Sequence, residues 1–256
     1  MAGRHRDAEP GLSTDIDPKV IRKAFRQLHN LTPEHEAIAL AWLMAPLGPP
    51  STFPVMLLEG QQGSGKSSTA NKFSGMLDPH TALTCSLPTN EKDLFILARN
   101  RKVVFFDNIS EMKDTISDRL CRMASGAAIV YRKLYTDADC FTVTAHPAIA
   151  MNGITIGAAR PDLLDRALRV ETYRIPDEKK LTEATLNQRF KEFHPQLLGA
   201  MAKAVQYALN NPKKLPVDLK GTRLVDFAEW TYSWAPAFKF DPRTGGRLFY
   251  LQEECP

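Results

Sequence analysis

Short apolar runs alternate with helix-compatible stretches through the middle of the chain. VMLLE (55–59) and KVVFFD (102–107) read as strands, and KSSTANKFSGML (66–77), NEKDLFILARN (90–100) and TISDRLCRMA (115–124) as helices. The alternation predicts an α/β fold with a parallel sheet and crossover helices. Upstream, Asp17 caps DPKVIRKAFRQLHNL with Pro18 at the first helical position, and TPEHEAIALAWLMA opens on Thr-Pro in the same way. From residue 126 the period changes. AIVYRKLY and CFTVTAH are extended and joined by the turn-rich TDAD, which predicts a β-hairpin inserted before the next core strand, AIAMN. Residues 181–209 return to helix, with His194-Pro195 read as a break between LTEATLNQRFKEF and QLLGAMAKAVQYALNN. The expected organisation is a flexible lead-in and helices over 1–50, an α/β core over 51–175, and a helical lid and tail over 176–256. The tail from 236, rich in Pro, Gly and charge, reads either as a fragment's end or as a docking segment.

Composition narrows the class. With 256 residues and 43% hydrophobic positions, the chain is ordinarily globular and long enough for one large α/β domain with a small helical lid. A net charge of +4 permits a nucleic-acid partner without arguing for one. Cys85, Cys121, Cys140 and Cys255 are scattered with no C-x-x-C pair, which disfavours a zinc site and a disulfide framework and fits a reducing cytoplasm. The most apolar run, AIALAWLMAPL, is too short to span a bilayer, so no membrane partner is expected. The six histidines show no ligand spacing.

One stretch carries strong chemistry. GQQGSGKS, Gly60 to Ser67, matches G-x-x-x-x-G-K-[ST] and lies between an apolar strand and a helical stretch, the context that the phosphate-binding loop requires. Glycines let backbone N–H groups curl round phosphates at a helix N-terminus, where the dipole favours anions. The expected nucleotide-binding set is Gly60, Gly63, Ser64, Gly65, Lys66, Ser67 and Ser68, for ATP with Mg2+. Lys66 would reach the β- and γ-phosphates and Ser67 would ligate the magnesium. Asp107, at the end of the second strand, supplies the second metal ligand, held through water. Many such sites place a carboxylate next, but here Asn108 follows. An amide can orient water without taking its proton, so slow hydrolysis is expected unless Glu111 or Glu59 helps.

SGAAIVYRKLYTDAD, the second extended stretch and HPAIAMNG together resemble the superfamily 3 helicase branch of the AAA+ ATPases, as found in phage, plasmid and mobile-element primase-helicases. The resemblance implies an AAA+ type sheet in which Asn152 is the polar sensor, and DNA-contacting basic residues at Arg132 and Lys133 on the hairpin. ARPDLLDRALRVE (159–171) is similar to the helix that carries the arginine finger, with Arg166 at the matching position and Arg160 as a second candidate. It further implies a homo-hexameric ring with fingers acting in trans, single-stranded DNA as partner, and primase or other replication or mobile-element proteins as companions. The implied activity is a DNA-stimulated ATPase of helicase type. The alternative is an ATP-gated assembly or loader protein that binds DNA without separating strands. A small-molecule kinase has no evident use for the hairpin, the sensor or the finger-bearing helix.

Plainer readings stand beside these. Arg166 pairs with Asp162 or Asp165 on a solvated face, Asn152 caps a turn, and Arg132 and Lys133 guard an edge hairpin against aggregation. FAEWTYSWAP offers Trp230, Tyr232 and Trp234 for base stacking, but the helical spacing of Leu224, Phe227 and Trp234 favours a core-packing face.

Overall fold

The computed structural model describes residues 17–79, 83–110, 112–126, 128–132, 140–153, 160–216 and 224–240. Four parallel strands, β1 (Val55–Glu59), β2 (Val103–Ile109), β5 (Ala148–Gly153) and β6 (Ala167–Glu171), form a sheet in the order β2-β5-β1-β6. All the pairings are parallel, so each is reached by a crossover connection rather than a tight turn. Outside β2 a single parallel bridge from Cys85 to Phe106 extends the sheet, and beyond β6 Leu31 bridges Thr172.

Both faces are covered, which is why the strands read as continuous apolar runs. Met56 and Leu58, Val103 and Phe105, and Leu168 and Val170 face a core shared with helices α1 (Pro18–Arg26), α2 (Pro33–Met44), α3 (Lys66–Leu77), α7 (Glu183–Asn210) and α8 (Val225–Trp234). The alternate positions Val55, Leu57, Val104, Phe106, Ile149 and Met151 face α4 (Glu91–Ala98) and α5 (Asp114–Ala124). The helix starts follow their capping residues. Asp17 accepts the Lys19 N–H at 2.9 Å, and the side chains of Thr32, Asn90 and Thr182 accept from His35, Asp93 and Thr185. Trp230 and Trp234 are core residues, 4% and 1% exposed, and Trp230 Nε1–H donates to the Met44 carbonyl at 2.8 Å. They are not available for base stacking.

The expected hairpin is present: β3 (Ala128–Arg132) pairs antiparallel with β4 (Cys140–Thr144) as a separate two-stranded sheet. Two expectations are corrected. The 159–171 stretch is not one helix: α6 is a single turn, Pro161–Leu164, followed by β6. Leu168 and Val170 point into one core and Ala167 into the other, so the residues alternate as strand residues must, and burial at the open edge of β1 outweighs helical propensity. Nor does Pro195 break α7, which runs unbroken from Glu183 to Asn210. A proline inside a helix costs about 3 kcal/mol. Burial of Leu197 and Met201 on the shared core contributes about 1.5–3 kcal/mol each and offsets it. Lys191, whose carbonyl loses its helical partner, is exposed to water.

Candidate functional site

The central strand β1 ends at Glu59, and the chain turns at once into the glycine-rich loop that starts α3. Gly65 is the residue before the helix and lies at φ 78°, left-handed backbone that costs an L side chain strain. At Gly60 a Cβ would lie 2.2 Å from Thr172 Oγ1. That contact is part of the loop's scaffold. Thr172 donates to the Glu59 carbonyl at 3.0 Å and therefore accepts from Ser64 Oγ at 2.7 Å. Asn30 spends its amide N–H groups on the Ser64 and Tyr173 carbonyls at 3.2 and 2.5 Å, tying the α1–α2 connection to the loop. Lys66 Nζ donates to the Gly60 and Gln61 carbonyls at 2.7 and 2.9 Å, so the ammonium lies over the loop's entrance.

The loop faces a cleft of about 510 Å³ lined also by Asp107, Asn108, Asn152 and Gly153, from the C-terminal ends of β2 and β5. Ser67 Oγ donates to Asp107 Oδ1 at 3.2 Å. This puts a hydroxyl and a carboxylate oxygen side by side, a donor set suited to a hard cation such as magnesium. Asn108 lies in a one-residue bulge where the β2–β5 register shifts between Phe106 and Ile109, with φ 57°. Asparagine is among the few residues that tolerate this backbone. Its N–H donates to Asn152 Oδ1 at 2.7 Å. Asn152 is 2% exposed, and its Nδ2 is buried with no protein partner. The two residues expected to orient water and sense phosphate are thus directly bonded, one shaping the backbone of the other.

The other expected residues lie elsewhere. Val55 pairs with Ala167 and Glu59 with Glu171, so Arg166 stands beside the start of β1, whereas the loop follows its end. Four residues of strand separate them, about 13 Å. Arg166 pairs with Asp162 at 3.4 Å and Arg160 with Asp118 at 3.3 Å. Cys121 lies in the same cluster, its thiol pushed up to about 12 by burial and then by a hydrogen bond to Asp162. Glu59 does not line the loop's cleft and pairs instead with Arg169 at 3.2 Å. Glu111 and Lys133 lie outside the described residues; Arg132 ends β3 opposite Cys140.

Residues 21–241 match the profile of the actinomycete integrative conjugative element replication protein. The chain belongs to this family. No curated protein matches this chain by sequence. Among solved structures it is similar in fold to the C-terminal region of NrS-1. One such structure aligns at TM-score 0.52 with 13% identity over 77% of this chain and 47% of that one. Another aligns at 0.50 with 12% identity and the same coverage. The chain therefore spans about half the length of these structures. Among the described residues no helix is long and apolar enough to cross a membrane.

Sequence reasoning missed a second cleft of about 450 Å³ on the other side of the same loop. Its walls come from three distant segments: Leu28, His29 and Asn30 after α1, Ile175, Pro176, Lys179, Lys180 and Leu181 after β6, and Leu186 and Arg189 on α7. Burial, aided by the Arg26 charge, lowers the His29 pKa to about 3, so its imidazole is neutral and its Nδ1 accepts the Leu31 N–H at 3.2 Å. No local motif marks these residues; only folding brings them to the glycines.

Proposed function

We propose that this replication protein is an ATP-hydrolysing, DNA-stimulated motor of helicase type, working as a ring in which Arg166 completes a neighbour's site. The observation that carries the reading is the pairing of Ser67 and Asp107 oxygens at 3.2 Å beneath the glycine-rich loop, with Asn152 beside them. The loop amides and Lys66 hold the triphosphate. Ser67 and Asp107 hold magnesium, which when bound neutralises charge on the β- and γ-phosphates. Asn108 and Asn152 orient water and the terminal phosphate, and Asn152 Nδ2 is a donor still to be satisfied in this buried corner. The adjoining cleft takes the base and ribose. Its apolar wall, formed by Leu28, Ile175 and Leu181, suits a purine face.

Arg166 acts in trans under this proposal because its strand end is remote from its own cleft, and ring assembly exchanges Asp162 for a phosphate. Family membership favours a DNA partner, met by the hairpin with Arg132 and Lys133. The test is ATP turnover with and without single-stranded DNA across a range of protein concentrations, alongside strand separation on a forked duplex. Turnover that rises with both, together with unwinding, is expected. Nucleotide-dependent DNA binding without unwinding would favour the loader reading, and no hydrolysis under any condition would end the motor proposal.

A further inference from the structure

The segment between β6 and α7 lies directly over the glycine-rich loop. Ile175 Cδ1 is 3.2 Å from where a Cβ on Gly65 would stand, and Lys180 Nζ is 4.0 Å from the same point on Gly63. Lys180 is therefore a second lysine at the loop, supplied from a different part of the chain. The cleft it enters is lined by Arg26, Lys72, Lys179, Lys180 and Arg189, and by no carboxylate among the described residues. Three of the five have acidic partners. Arg26 pairs with the buried Glu36 at 2.6 Å, Lys72 with Glu183 at 3.7 Å, and Lys180 with Asp177 at 2.5 Å. Among the described residues, Arg189 donates to the neutral Gln27 oxygen at 3.0 Å and forms no ion pair. The Lys180 pair is the most exposed of the three: both side chains are at least half exposed, and surface pairs of this kind exchange readily.

Positive charge in excess of its partners, beside a loop whose amides converge on one spot, calls for a polyanion larger than Lys66 alone can balance. We infer that Lys180 is a second phosphate-binding lysine, supplied in cis by the β6–α7 segment, which exchanges Asp177 for the phosphates of a nucleoside triphosphate. The inference rests on the nucleotide reading of the cleft. On binding, it fastens the start of α7 to the loop. Glu183, one turn on, already holds Ser68 of α3 in a side-chain hydrogen bond.

The experiment is calorimetric titration of parent, Lys180→Ala and Lys180→Arg with a non-hydrolysable ATP analogue and with AMP, both with magnesium, at two salt concentrations. Lys180 is exposed and outside both cores, so the variants keep the fold, checked by thermal melting. Lys180→Ala is expected to weaken the triphosphate analogue about tenfold and AMP little, with a shallower salt dependence, and Lys180→Arg to restore most of the loss. Equal affinity in parent and Lys180→Ala overturns the inference, as does an equal loss for both ligands, which would be a general effect on the cleft. A parent that binds no nucleotide overturns the reading of the whole cleft, a result distinct from either.

Discussion

Asn108 raises a question that substitution can answer in two parts, because its backbone and its side chain are separable. Its φ of 57° is left-handed, and its N–H is held by Asn152. Glycine at this position keeps the bulge without strain and removes the carboxamide; alanine removes the carboxamide and adds the strain of a Cβ in left-handed backbone, about 1 kcal/mol. A difference of that size shifts the melting midpoint by roughly 2–4 °C in a chain of this length. Part of the gap closes because glycine also loosens the unfolded chain, by about 0.4–1 kcal/mol. Asn108→Ala should thus be no more stable than Asn108→Gly, whereas at an ordinary helical or extended position alanine is the more stable by about that last amount. Urea unfolding of both variants measures this directly, and an alanine variant more stable than the glycine one refutes the bulge argument. Turnover reads the side chain. If the carboxamide orients water, Asn108→Gly lowers the ATPase rate while nucleotide affinity stays near the parent's. A glycine variant with parental turnover would leave Asn108 with a backbone role only and pass the water to Asn152.

Three further outcomes are expected. Lys66→Ala and Arg166→Ala, each inactive, should partly restore turnover when mixed, since fingers of this type contribute roughly a thousandfold; no rescue at concentrations that give mixed rings counts against a shared site. Replacing Arg132 and Lys133 together by Ala should flatten the salt dependence of single-strand binding, which otherwise falls by about 0.7 in log affinity per neutralised phosphate per decade of salt; identical slopes would leave the hairpin out of the DNA contact. His29 is neutral in the folded chain down to about pH 3, whereas in the unfolded chain it takes a proton near 6.5, so stability is lost as pH falls between these values. Between pH 7 and 5 the His29 share is roughly 2 kcal/mol, and urea unfolding should show His29→Gln losing that much less than the parent; equal losses refute the assignment.

The loop, its strand and its helix were legible because their determinants are local. GQQGSGKS needs its glycines for backbone reasons that act within eight residues, and α3 begins at Lys66 as the spacing requires. The same holds for the proline-led starts of α1 and α2 and for the hairpin, whose period-2 stretches differ from everything around them. Asp107 could be placed on the second strand from apolar runs alone, but not at its end, because β2 continues through the bulge at Asn108 to Ile109. What the sequence could not disclose depends on contacts between segments far apart. β6 forms because the edge of β1 offers backbone partners to residues 167–171, and Pro195 stays inside α7 because a shared core holds both sides of it. Glu59 looked available until folding set Arg169 beside it. Lys180 lies 117 residues beyond Gly63, and its place over the loop exists only once β6 and α7 have closed around β1. Local rules fix which backbone can turn round a phosphate; which side chains then surround that turn is decided by burial and charge pairing summed over the whole fold, and no short stretch contains that sum.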